Sequence, residues 1–313
     1  MRLSSDIQRI VLAAREQLGQ PGAFWREIRL LSSDECTGYY DLLGDDVLEG
    51  HNQCFIDPDK PLWLNLGFWQ NARTFPDACA AMARLVADAA RLCEHDVVLD
   101  VGFGFGEQDL FWVDNFGVKR IIGLNITPLH VDVACKRVEQ RGLADRIDLR
   151  LGNAVDLPLD DDSVDKVVAM ECAFHFNTRV KFFREAFRVL RPGGRLALSD
   201  MVPMIGDNPG GLANRLGLRR WGIPWANIYD RNVYCQKLRQ VGFSQITARS
   251  IRNYVFPAIA RYTEQRKQGR AILDIVIELS EEEIASCQGA DAWAKQGGLN
   301  DYVIFAAQKP GTV

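Results

Sequence analysis

Residues 98–106 read VLDVGFGFG. An apolar, β-branched run ends at Asp100, and glycines follow at 102, 104 and 106. Alternate glycines behind a strand let the chain turn sharply and let its amides approach a ligand at the start of the next helix, GEQDLFWVDNF at 106–116. A dinucleotide fingerprint, GxGxxG, wants a third glycine at position 107. Glu107 stands there instead, and its side chain obstructs the close helix packing that a glycine allows. Asp100 places a carboxylate beside the loop, which repels a pyrophosphate and attracts an ammonium. The loop therefore favours a ligand with an amino group over a dinucleotide.

Outward from the loop, strands and helices alternate. KRIIGLN (119–125) reads as a strand and TPLHVDVACKRVEQRG (127–142) as a helix, with Thr127 as N-cap, Pro128 at the first helical position and Gly142 past the end. RIDLRLG (146–152) and SVDKVVAME (163–171) are strands, TRVKFFREAFRVL (178–190) is a helix, and RLALSDMV (195–202) is a strand after the turn RPGG. A helix at 229–243, a strand at 244–253, a helical stretch from about 256 to 287 with a capping box at Ser280 and Glu283, and a last strand at 301–309 complete the pattern. The expected fold is α/β, a doubly wound, mostly parallel seven-stranded sheet. Residues 1–94 are expected to be a helical N-terminal cover, and 95–313 a ligand-binding core into which a Gly/Pro-punctuated cap, 203–228, is inserted. Both additions adjoin the strand ends where open α/β sheets bind ligands.

Composition narrows the function. With 37 Lys+Arg against 41 Asp+Glu the net charge is -4, which offers nucleic acid no long-range attraction. No apolar run approaches membrane-spanning length. The eight cysteines form no CxxC pair and no zinc spacing, so no metal is expected and the thiols read as reduced, in a cytoplasmic protein.

The DxGxGxG string at 100–106 resembles motif I of the class I S-adenosylmethionine-dependent methyltransferases, whose Rossmann-like fold the element order matches. GLNIT, GNAVDLPLDDDSVD and FREAFRVLRPGGRLALSD resemble later segments of that family. ECAFHF, GGRLALSDMVP, GIP, DYVIFAAQKP and LNLGFWQ at 64–70 resemble bacterial O-methyltransferases that act on sugar hydroxyls of erythromycin-type macrolides. The resemblance implies S-adenosylmethionine as cofactor, held by Asp100, Gly102, Gly104, Gly106, Asn125, Asn153, Ala154, Glu171 and Trp69. It also implies a small-molecule methyl acceptor, and leaves a homodimer open. Asn125 and Asn153 stand where many relatives carry Asp. On this reading Asn125→Asp is expected to tighten the cofactor through a charge-assisted hydrogen bond to its ribose.

A hydroxyl acceptor must lose its proton as the new bond forms. His175, behind the fourth strand, is the candidate base. Asp200, at the end of the fifth, is a candidate to hold its tautomer. Glu171 takes a catalytic role only if the acceptor is carbon, as in a prenyl diphosphate whose phosphates Arg215, Arg219 and Arg220 would receive. A small-amine N-methyltransferase and a non-catalytic cofactor-binding partner protein are the remaining alternatives.

Overall fold

The computed structural model describes residues 61–207, 217–218, 221–270, 274–290 and 298–311. The cover before residue 61 and Arg215, Arg219 and Arg220 lie outside these residues.

In chain order the elements are α1 (Phe75–Ala90), β1 (Val97–Val101), α2 (Glu107–Phe116), β2 (Arg120–Asn125), α3 (Pro128–Gln140), β3 (Ile147–Leu151) and β4 (Val164–Met170). They continue through α4 (Arg179–Val189), β5 (Leu190–Val202), α5 (Arg231–Val241), β6 (Ser244–Ser250), α6 (Phe256–Lys267), α7 (Glu281–Ser286) and β7 (Asp301–Gln308). The sheet runs β3-β2-β1-β4-β5-β7-β6, and only β7 opposes its neighbours. Chain order reverses between β1 and β4, which leaves a crevice outside their carboxyl ends.

Two apolar clusters bury the two faces of the sheet. One gathers α1, α2 and α3 through Met82, Val86, Trp112 and Val138, and the other gathers α4 and α5 through Phe182, Phe183, Tyr234 and Leu238. Residues 75–90 thus pack directly on the sheet, within the same core as the strands. Local chemistry sets the ends of several elements. Thr178 caps α4 through the Lys181 N–H, Asp230 caps α5 through two amides, and Ser280 with Glu283 forms the expected capping box on α7.

One expectation fails between α6 and α7. Instead of a helix running from 256 to 287, the first ends at Lys267, before Gly269 with φ +85°. Residues 275–278 are non-helical, burying Ile275 and Ile277 and exposing Val276 and Glu278. That is the period of an extended chain, and Ile277 N–H donates to the Arg73 carbonyl at 2.9 Å. Among the described residues no helix is long and apolar enough to cross a membrane.

Candidate active site

All three loop glycines have positive φ, +83° at Gly102, +58° at Gly104 and +75° at Gly106. A Cβ on Gly102 would sit 2.6 Å from Cys172 Sγ, and one on Gly104 would sit 3.0 Å from a methyl of Leu64. Conformation and space both demand glycine at 102. The loop is therefore backed by the end of β4 and covered by the segment around Leu64.

Two core carboxylates fasten that covering segment. Glu107 accepts from Leu62 N–H at 2.9 Å and pairs with Arg137, which also donates to the Phe105 carbonyl at 2.7 Å. The residue that spoils a dinucleotide fingerprint is thus a tie between loop, helix α3 and cover. Glu171, at φ +55° behind β4, accepts from Leu66 N–H at 2.9 Å and from the Tyr302 hydroxyl. Burial pushes its carboxyl up to about 7, against the pull of these two donors.

Beneath the cover lies a cavity that is partly open to solvent at its mouth. Gly102, Gly104, Asn125, His130, Asn153, Ala154, Glu171, Cys172 and His175 share its wall with apolar side chains such as Leu64, Leu124 and Met170.

Four of the expected cofactor-binding residues do something other than the sequence suggests. Asn125 spans a gap: its Oδ1 accepts from Thr127 N–H at 3.2 Å and its Nδ2 donates to the Gly104 carbonyl at 3.3 Å. A backbone N–H needs an acceptor and a carbonyl needs a donor, so an amide fits here and a carboxylate does not. Asp100 is wholly buried behind the loop and is not part of the cavity wall. It accepts from Gln108 at 3.0 Å, and burial pushes its carboxyl and that of buried Asp109 up towards the protonated form. Trp69 also lies away from the wall, packed with Phe75 and Tyr262, its indole N–H donating to the Leu66 carbonyl at 2.9 Å. Asn153, on the wall, turns its Oδ1 to Val155 N–H at 3.1 Å and braces its own turn.

Asp200 does not hold His175. It is buried in a two-pronged ion pair with Arg179, Nε to Oδ2 at 2.8 Å and Nη2 to Oδ1 at 3.1 Å, and accepts from the Tyr234 hydroxyl at 3.1 Å. His175 sits in a short 3-10 turn, Ala173–His175, and one of its partners is the Gly222 carbonyl, 3.3 Å from Nδ1. A carbonyl only accepts, so Nδ1 carries the hydrogen and Nε2 is the basic nitrogen. Burial, helped by the nearby Arg179 charge and opposed by the Gly222 and Trp221 carbonyls, pulls this imidazole down to about 4.

Sequence reasoning passed over His130, which burial also pulls down to about 4 and which lies 4.4 Å, ring to ring, from Phe105. Its place one turn into α3, just behind Asn125, was the available signal. Gly222 had none, being 47 residues from His175.

A cradle of positive-φ glycines, a mostly apolar wall, neutral imidazoles and side-chain amides suit a large, polar but not polyanionic ligand. A family model described as "Methyltransferase domain" matches residues 99–198. The chain is 36% identical to erythromycin 3''-O-methyltransferase of Saccharopolyspora erythraea over 80% of this chain and 84% of that protein. It is 29% identical to 27-O-demethylrifamycin SV methyltransferase of Amycolatopsis mediterranei over 85% of this chain and 97% of that one. Among solved structures, a putative sarcosine dimethylglycine methyltransferase from Galdieria sulphuraria superposes with TM-score 0.63 at 19% identity, covering 89% of this chain and 99% of that one. The cyclase SpnF gives the same TM-score at 22% identity, covering 89% and 98%, so the likeness in shape speaks for the fold alone. On the strength of the sequence match over most of both chains, this protein belongs to the class I S-adenosylmethionine-dependent methyltransferases.

Proposed function

We propose that the cavity holds S-adenosylmethionine and that the chain transfers its methyl group to a hydroxyl of a specialised small molecule, with His175 Nε2 accepting the hydroxyl proton. The observation that carries this reading is the imidazole on the cavity wall whose tautomer the Gly222 carbonyl fixes. One of the two relatives is named an O-methyltransferase and the other a methyltransferase of an O-demethylated rifamycin, which supports oxygen as the acceptor atom.

The residues present fit the cofactor. Gly102 and Gly104 bring bare backbone to the cavity, and Asn125, His130, Asn153, Ala154, Glu171 and Cys172 share its wall with them. When bound, S-adenosylmethionine supplies an electrophilic methyl on a sulfonium.

The chain's own residues hold the acceptor in line in a water-poor site and take one proton. A low imidazole pKa does not disqualify His175. The acceptor oxygen turns strongly acidic as its new bond forms, so a weak base in contact suffices, and neutrality keeps the imidazole competent across the physiological range. Glu171, with Leu66 N–H and the Tyr302 hydroxyl on one oxygen, acts as a clamp between cover and sheet.

The test is transfer of labelled methyl from S-adenosylmethionine to a panel of hydroxylated macrolides, with prenyl diphosphates and small amines as competing acceptors. Label in an ether of the macrolide is the expected product. Label confined to the other acceptors overturns the proposal.

A further inference from the structure

Asn227 is fully buried in a segment without extended regular structure, and every polar atom of its side chain is committed. Its Nδ2 donates to the Phe174 carbonyl at 3.0 Å and to the Phe176 carbonyl at 2.7 Å, the residues on either side of His175. Its Oδ1 accepts from Arg179 N–H at 3.0 Å, and its own carbonyl accepts from the Arg179 guanidinium. That guanidinium is in turn fixed by Asp200 and by the Met201 carbonyl at 2.8 Å. Five residues before Asn227 is Gly222, whose carbonyl meets His175 Nδ1.

We propose that Asn227 is a positioning residue for His175: it seats the turn that carries the imidazole and, through the same segment, the Gly222 carbonyl that fixes its tautomer. Its chemistry explains the choice of residue. Two carbonyls need two donors from one atom while an N–H needs an acceptor, and a carboxamide supplies all three, whereas Asp supplies no donor and Ser one. The rigid anchor is the Arg179–Asp200 pair across α4 and β5, so the segment that reaches the catalytic turn hangs from the sheet rather than from its own sequence neighbours. The effect on turnover rests on His175 being the base; the effect on the imidazole does not.

The experiment compares Asn227→Ser and Asn227→Ala with the parent protein, each checked for folding by circular dichroism and for cofactor affinity by calorimetry with S-adenosylhomocysteine. The 15N resonances of His175 are read against pH. Positioning predicts a mixed tautomer and a displaced titration in both variants, larger in Asn227→Ala, and a fall in kcat of roughly 10- to 100-fold, the scale of a misplacement of about 1 Å. Cofactor affinity stays at the parent level, because Asn227 is not on the cavity wall. On a His175→Ala background the same changes cost little more, since the group they position is gone. Parent-like imidazole resonances in folded Asn227→Ser overturn the proposal, as do losses that multiply in the double variant. Displaced resonances with unchanged kcat uphold positioning and sink His175 as base.

Discussion

The two sides of the cavity are built by different means. On the β1–β2 side the wall includes backbone at glycines in alternate positions, with Asn125 at the end of β2 tied to the Gly104 carbonyl. On the β4–β5 side it includes a side chain, His175, whose setting is assembled from Gly222, Asn227 and Arg179, residues distant in sequence or on other elements. A surface made by local conformation is fragile to a single Cβ and tolerant of distant change. One made by tertiary hydrogen bonds is the reverse. Each of the following measurements probes that contrast, from the largest expected effect to the smallest.

Asp200→Asn leaves the Arg179 guanidinium buried without its counter-charge, which costs about 3–5 kcal/mol of stability. Denaturant unfolding checks it. A loss under about 1 kcal/mol means that the ion pair does not anchor the acceptor side. Gly102→Val forces a branched residue to φ +83° and its Cβ onto Cys172 Sγ. Strain of about 1–3 kcal/mol in the loop should weaken S-adenosylhomocysteine roughly 10- to 100-fold in calorimetry, while His175 keeps its NMR titration. A disturbed imidazole would show that the two sides are coupled after all.

The buried neutral imidazoles give a pH signature. The pKa of His130 is lowered to about 4 from 6.5, so the unfolded chain takes up a proton first as pH falls. The stability that this histidine contributes is fully present above about 6.5 and is lost on acidification towards 4. Between pH 7 and 5 the loss is roughly 2 kcal/mol. His130→Gln should remove that part of the slope, and equal slopes in variant and parent would mean that His130 protonates in place. Last, Asn125→Asp exchanges the donor to the Gly104 carbonyl for an oxygen. Cofactor affinity should drop about tenfold, close to 1.4 kcal/mol for a broken buried hydrogen bond. Tighter binding would restore the ribose contact that the sequence alone suggests.

The same contrast explains how much was legible beforehand. The succession of strands and helices, the glycine loop and the capping box at Ser280 follow from local rules, although Thr127 begins α3 without a side-chain cap bond, and the structure bears out the doubly wound seven-stranded sheet. Position on a strand end found His175 but not its partner. Asp200 lies at the end of the neighbouring strand, yet its carboxylate meets buried Arg179, a residue that a helical face gives no reason to expect inside. Asn125 was read by what it lacks relative to Asp, whereas the Gly104 carbonyl opposite makes the amide a positive requirement. Trp69 follows the motif spacing but spends its indole on the core. Hydrogen-bond partners many residues apart leave no trace in periodicity or spacing.

The central claim is that a neutral His175 takes the acceptor's proton. It is tested most directly by steady-state methyl transfer to a hydroxyl acceptor in the parent and in His175→Ala, from pH 5 to 9. An ordinary imidazole would give a limb at about 6.5, but with this one pulled down to about 4 the parent should show none from His175. His175→Ala should lower kcat by roughly 10²- to 10⁴-fold at every pH, with S-adenosylhomocysteine affinity unchanged. Full turnover in His175→Ala, or a loss that appears only as weaker acceptor binding, would contradict the account and make His175 part of the wall.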